Sequence, residues 1–138
     1  MMLRFMNFGH APLTNWGLSH VTFNEGMTML DIGCGGGATL QRLLKRSRNA
    51  KAYGIDISKE SVAKAKEVNK ELLDKQVFVC QGTASQLPYE DAKFDLVTAV
   101  ETVYFWSDLS KCLKEVRRVL KHGAQFAIMV EVPEPDSM

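Results

Sequence analysis

The sequence predicts an α/β fold: a doubly wound, mainly parallel sheet of five strands with helices on both faces. Three observations carry that expectation. Short apolar runs alternate with segments of helical period along most of the 138 residues. Four glycines fall within five positions in "MLDIGCGGGATL", directly after the first sheet run. Two of the runs close on an acid, Asp31 in the first and Asp56 in the second. In sheets of this kind ligands bind at the carboxyl ends of the strands, near the topological switch point.

Each element has its own signal. Residues 1–12 read as irregular, with Gly9, His10 and Pro12 as turn residues. "PLTNWGLSHV" reads as a short helix with Leu13, Trp16 and Leu18 on its apolar side. Gly26 breaks the chain, and "MTMLDIG" is a buried strand. "GATLQRLLKRS" follows with Leu40, Leu43 and Leu44 at helical spacing, then "KAYGIDI" as a second strand. Ser58 or Ser61 caps a helix running to about Leu73, with Val62, Ala65, Val68 or Asn69, and Leu72 along one side. Its Lys and Glu residues form a solvated face. "QVFVCQG" is strand three, "LPYEDAKFD" a turn-rich loop, and "DLVTAVE" strand four. Ser110 is read as the cap of "KCLKEVRRVLKHG", with Leu113, Val116 and Leu120 inward and Gly123 as the stop. "QFAIMVEV" is strand five.

Composition narrows the classes of function. A chain of this length makes one domain, 1–138, divided into an N-terminal segment 1–25, a core 26–132 and a tail 133–138. Lys plus Arg number 17 and Asp plus Glu 16, a balance that gives no electrostatic grip on nucleic acid or an anionic membrane. No run reaches the ~18 apolar residues of a membrane span, and the start lacks a secretory signal pattern. The three cysteines, Cys34, Cys80 and Cys112, have no paired spacing and read as free thiols of a cytoplasmic protein. No His, Cys and acid cluster has metal-ligand spacing.

The glycines carry the chemistry. Gly33, Gly35, Gly36 and Gly37 sit between strand and helix, where a missing Cβ lets the backbone approach a ligand; a merely tight turn needs only one. Gly33-x-Gly35-x-x-Ala38 also fits the dinucleotide fingerprint. Asp31 points elsewhere, because a carboxylate there repels a pyrophosphate and suits a cationic ligand. Asp56 lies 23 residues after Gly33, where it accepts from both hydroxyls of a ribose or serves the helix that "ISKES" begins.

"LDIGCGGG", "YGIDIS", "GTASQLPYEDAKFDLVTAVETVYFWSD" and "LKEVRRVLKHGAQFAI" follow one another in this order. Together they resemble the class I S-adenosylmethionine-dependent methyltransferases over residues 27–132, most of all the small-molecule enzymes of the ubiquinone-biosynthesis type. The resemblance implies a Rossmann-like sheet of order 3-2-1-4-5. It implies S-adenosylmethionine as cofactor, S-adenosylhomocysteine as its product, and a small-molecule O, N, C or S acceptor. Gly33, Cys34, Gly35 and Gly37 would carry the methionine and ribose part, and Asp31 the ammonium. Asp56 and Ile57 would hold the ribose end, Thr83 and Ala84 would frame adenine, and Glu101 would face the methionine end or the substrate. Tyr104, Phe105 and Trp106 would form an aromatic wall or pack in the core. Residues 1–25 would be a lid, with Trp16 or His20 near the site. Glu101, His10 and His20, in that order, are the candidate bases, each histidine having a structural reading as well.

Three departures from the family pattern stand out. Thr83 replaces a frequent aspartate, and His122 and Ala124 replace a proline and a glycine. Only "PEPDSM" follows strand five, where the family has a further hairpin. A minimal form, a truncated form or one part of an assembly is implied, with strand five an edge open to self-association. Two rivals remain: a non-catalytic cofactor-binding module completed by a partner, and an NAD-dependent oxidoreductase.

Overall fold

The structure, a computed structural model, describes the backbone of residues 10–131 and the side chains from Pro12 onward. The tail 133–138 and the imidazole of His10 lie outside the described residues. Among the described residues, nine elements and one 3-10 turn run in the order α1 (His10–Leu18), β1 (Thr28–Ile32), α2 (Ala38–Arg46), β2 (Lys51–Asp56), α3 (Lys59–Val68), β3 (Val77–Gln81), β4 (Phe94–Val100), the turn Val103–Phe105, α4 (Leu109–Val119) and β5 (Leu120–Met129). All five strands pair in parallel in the order β3-β2-β1-β4-β5, as the sequence predicts.

The central strands β1 and β4 are mostly apolar because both faces are covered, with Asp31 and Thr98 as the buried exceptions. Along β1, Met29 enters the core shared with Leu13, Leu18, Leu43, Leu96 and Met129, on the face covered by α1 and α2. Leu30 and Ile32 join Ile55, Phe94, Val97, Val116 and Val119. Each fully buried aliphatic side chain contributes ~1.5–3 kcal/mol, so the face each strand residue takes is fixed by the alternation. Helix α1 packs so closely on β5 that a Cβ on Gly17 would lie 2.5 Å from the sulfur of Met129.

Five expectations for the helices are corrected. On α1, Leu13, Thr14 and Leu18 are the buried residues while Trp16 is 45% exposed, because 16 falls on the side opposite 14 in a 3.6-residue repeat. Helix α3 is capped by Ser58, whose hydroxyl accepts from the Ser61 N–H at 3.2 Å, but it ends at Val68 rather than Leu73. The buried Asn69 amide donates to the carbonyls of Ala65 (2.9 Å) and Gly37 (3.3 Å), which ends the helix and ties it to the glycine turn. Helix α4 is capped by Asp108, which accepts from the Lys111 N–H at 3.1 Å, so Ser110 lies inside the first turn. Cys112, Val116 and Val119 then face inward at i, i+4, i+7, leaving Leu113 40% exposed. Gly123 does not end that helix. Leu120 pairs with Phe94 and Gln125 with Leu96, so residues 121–124 bulge from the edge of the sheet with Gly123 at φ +78°.

The Glu-x-x-Arg of "LKEVRRVL" has a structural task. Arg118 donates to Glu115 (2.7 and 3.1 Å), to Asp91 (2.9 Å) and to the carbonyls of Tyr89 (2.7 Å) and Leu87 (2.9 Å). Glu115 in turn accepts from the Leu87 N–H at 2.9 Å. The hydrogen bond from Arg118, more than any other influence, holds the Glu115 carboxyl below its ordinary range. The two side chains clamp the 82–93 loop onto α4.

Candidate functional site

A cavity of about 760 Å³ opens at the carboxyl ends of β1, β2 and β4, within the size range of small-molecule sites. Its floor is the glycine turn. The N–H groups of Gly33 (2.7 Å) and Cys34 (3.1 Å) donate to the Ile55 carbonyl, that of Gly35 to the Asp56 carboxylate (2.9 Å), and that of Gly37 to the Cys34 carbonyl (3.0 Å). These four N–H groups therefore brace the turn from within the protein. Gly35 has φ +52° and open space where a Cβ would stand. Gly37 answers to packing as well: with φ +88°, a Cβ there would come within 2.9 Å of the Ala65 Cα.

Asp31 is 1% exposed and accepts from the Thr98 hydroxyl at 2.7 Å. Burial pushes its carboxyl up to about 7, the Thr98 bond opposing and the charge of Asp56 adding to the rise. It sits on the wall of the cavity as a buried acid with one hydroxyl for company, a place for a cationic group. Asp56 serves the protein with both oxygens, one taking the Gly35 N–H and the other the Ser58 N–H at 2.9 Å. Each oxygen keeps lone-pair capacity for a further donor, and Asp56 too lines the cavity.

Gly33, Gly35, Ile57, Thr83, Ala84 and Glu101 also line this cavity. Ile57 is 67% exposed at the mouth. The Thr83 hydroxyl pairs with that of Ser85 at 3.0 Å. Glu101 lies just beyond β4 with φ +55°, and its carboxylate accepts from the Glu131 N–H. Cys34 borders the cavity, but its side chain is 6% exposed in the core with Leu40, Ala52 and Ala65. Burial pushes its thiol well up, so it offers no thiolate. Gly37 packs beneath the turn and is not part of the lining.

Of the three aromatics, Phe105 and Trp106 line the cavity and Tyr104 stacks edge-on against Phe105 outside it. The expectation of Trp16 or His20 near the site is corrected: their rings pack on each other at 4.3 Å on the outer side of α1, and neither lines the cavity. Thr14 is the residue of α1 that does.

The sequence reading missed Thr14, Thr39, Arg42, Lys64 and Thr98. Only Thr98 had a signal, as the one hydroxyl inside the apolar run "DLVTAVE"; parallel pairing sets it beside Asp31. Among the described residues, no cluster of His, Cys, Asp and Glu is arranged to hold a metal ion. No helix among them is long and apolar enough to cross a membrane.

A parallel sheet of this order, with a glycine turn and two strand-end acids around one cavity, defines an α/β domain of the kind that takes its ligand at the strand ends. Residues 23–134 match the family model described as a methyltransferase domain, and the chain belongs to that family. It is 30% identical over 128 residues to an uncharacterized methyltransferase, YdaC, of Bacillus subtilis, covering 93% of this chain and 69% of that protein. It is 34% identical over 113 residues to 27-O-demethylrifamycin SV methyltransferase of Amycolatopsis mediterranei, covering 80% of this chain and 41% of that one. Among solved structures it resembles a chain of the complex between the Haloferax volcanii Trm112 methyltransferase activator and a methyltransferase. There the TM-score is 0.79 at 28% identity, over 86% of this chain and 51% of that one.

Proposed function

We propose that this chain binds S-adenosylmethionine in the cavity and that the whole protein methylates a small-molecule acceptor. The observation that carries the reading is Asp31, a buried acid at the end of β1 on the wall of the cavity. A carboxylate there repels a dinucleotide pyrophosphate and suits a ligand with an ammonium and a sulfonium. The NAD rival is correspondingly disfavoured.

Bound there, the cofactor would supply a methyl group already activated by sulfonium charge. The protein's part is alignment and exclusion of water, worth up to ~7–11 kcal/mol in well-oriented reactions. Asp31 would hold the ammonium, Asp56 and Ile57 the ribose end, and Thr83 with Ala84 the adenine. Phe105 and Trp106 would shield the sulfonium side, where a cation over a ring is favoured. Glu101 would face the acceptor and take its proton where the acceptor carries one. Residues 1–25 would act as cover and 26–132 as the core. The named relative supports a small-molecule acceptor; the choice among O, N, C and S follows from none of these residues.

A second reading is favoured by one finding, the likeness to a methyltransferase solved with an activator: this chain would be completed by a second copy through β5, or by another protein. Calorimetry separates the readings. S-adenosylhomocysteine binding, no NADH binding, and turnover of a small-molecule extract are the expected results. NADH binding without S-adenosylhomocysteine binding overturns the proposal, and cofactor binding with turnover only after a partner is added favours the second reading.

A further inference from the structure

We infer that Thr102 is the residue that requires a glycine at position 33, and that through this contact it seats the acceptor side of the cavity on the glycine turn; its part in methyl transfer rests on the reading above. A Cβ on Gly33 would stand 2.8 Å from the Thr102 Cβ and would overlap its hydroxyl. Carbon atoms in ordinary contact lie ~3.5–4.0 Å apart, so either the turn or Thr102 would have to move. Gly35 has nothing within 4 Å of its own Cβ position. Both glycines line the cavity, but Gly35 leaves room for a ligand while the room at Gly33 is taken by the protein.

Both partners are held in place. The Gly33 N–H donates to the Ile55 carbonyl at 2.7 Å, which ties the turn to β2. Strands β1 and β4 leave the sheet side by side, Ile32 opposite Ala99. Glu101 then takes φ +55°, a costly conformation for a residue with a Cβ, and the chain bends so that Thr102 lies over Gly33. The bend is held from β5: the Glu101 N–H donates to the Met129 carbonyl at 2.7 Å, and the Glu101 carboxylate accepts from the Glu131 N–H. A strained residue persists only where its surroundings hold it, and Thr102 on Gly33 is one of those holds. The Thr102 carbonyl accepts from the Phe105 N–H at 3.0 Å and so opens the turn that sets Phe105 and Trp106 at the cavity. Thr102 is thus the junction between the glycine turn, the Glu101 carboxylate and the two rings. In methyl transfer it would be a positioning residue, acting through Glu101, Phe105 and Trp106 on the alignment of donor and acceptor.

The test is a rescue. Gly33→Ala, Thr102→Gly, the double variant, and Gly35→Ala with and without Thr102→Gly are compared with wild type by urea unfolding and by calorimetry with S-adenosylhomocysteine. A Trp16→Phe background leaves Trp106 as the one tryptophan of the two, so its emission reports the acceptor wall. Gly33→Ala should weaken S-adenosylhomocysteine ~10-fold or more and lower the urea midpoint. Adding Thr102→Gly removes the overlap but leaves the φ of +76° at position 33. It should return the affinity to within ~3-fold of that of Thr102→Gly alone, and the double variant should lose less stability than the two single variants together. Gly35→Ala should lose affinity that Thr102→Gly does not restore. Trp106 emission should shift in Thr102→Gly without ligand. A Gly33→Ala protein that folds only with Thr102→Gly added supports the contact equally. Additive stability losses, affinity left unrecovered in the double variant, or Trp106 emission unmoved by Thr102→Gly overturns the inference while leaving the proposed function standing. Wild type that binds no S-adenosylhomocysteine overturns the proposed function, and the unfolding cycle with Trp106 emission then decides the contact by itself.

Discussion

Replacing Arg118 by alanine should loosen the Thr83–Ala84 wall of the cavity from a side chain outside its lining. The guanidinium serves two carbonyls, of Tyr89 and Leu87, and two carboxylates, of Glu115 and Asp91. A hydrogen bond to a charged group is worth ~1.5–3 kcal/mol when desolvated. The side chain is 31% exposed and Asp91 80% exposed, so water replaces part of each bond and the Asp91 pair adds little. Two partly screened carbonyl bonds and the Glu115 pair leave a net loss of ~2–4 kcal/mol. Urea unfolding followed by circular dichroism should show this as a lower midpoint at unchanged slope. Arg118→Lys should recover less than half of the loss, because an ammonium cannot reach four acceptors in one plane. The clamped loop carries Thr83 and Ala84, so S-adenosylhomocysteine affinity should fall alongside. A stability loss under ~1 kcal/mol, or full rescue by lysine, would refute the clamp.

Gly37→Ala should cost ~2–4 kcal/mol, since a Cβ there meets the Ala65 backbone at φ +88°, whereas Gly123→Ala, equally left-handed with open space around it, should cost ~1 kcal/mol; thermal unfolding of the pair tests whether packing or φ decides. The Asp31 carboxyl titrates near 3.9 when unfolded and at about 7 when folded, so the folded state holds the extra proton in between. Stability of the free protein should therefore fall with rising pH across that window, by up to ~1.4 kcal/mol per pH unit, and Asp31→Asn should remove that slope. Binding of an ammonium favours ionised Asp31, so S-adenosylhomocysteine affinity should weaken as pH drops below 7, and an affinity flat from pH 5 to 8 would count against the assignment. Asp56→Ala should cost ~2–4 kcal/mol of ligand affinity by calorimetry; affinity equal to wild type would sink its ribose role.

The parallel sheet was legible because its strands are short apolar runs that alternate with helices; its order came from the family resemblance and not from the apolar pattern. The glycine turn and both acids were legible because no ordinary turn needs them. Helix ends were misread where a side chain acts at a distance. Asn69 stops α3 by reaching a carbonyl 32 positions earlier, and nothing local marks it. Asp108, rather than Ser110, caps α4 because it can adopt φ +51°, a choice made by the preceding turn. Trp16 was assigned to the apolar side because it is large; the helix phase is instead set by Leu13, Gly17 and Leu18 against β5. Arg42 escaped notice because it reads as one more cation in "LQRLLKRS", and only the direction of α2 tells it from Lys45.

The inward-facing hydrogen bonds of the glycine turn bear on how occupancy and folding are linked. A turn that relied on its ligand for donors and acceptors would be loose when empty and would have to order itself at every encounter. Here Ile55, Asp56 and the Cys34 carbonyl supply the partners in advance, so the ordering cost falls on folding, once, and not on binding. Product can then leave without the floor collapsing behind it. The segments whose motion should bear on ligand exchange are those that line the cavity from outside the sheet, α1 through Thr14 and the Val103–Phe105 turn, where Phe105 stands 76% exposed.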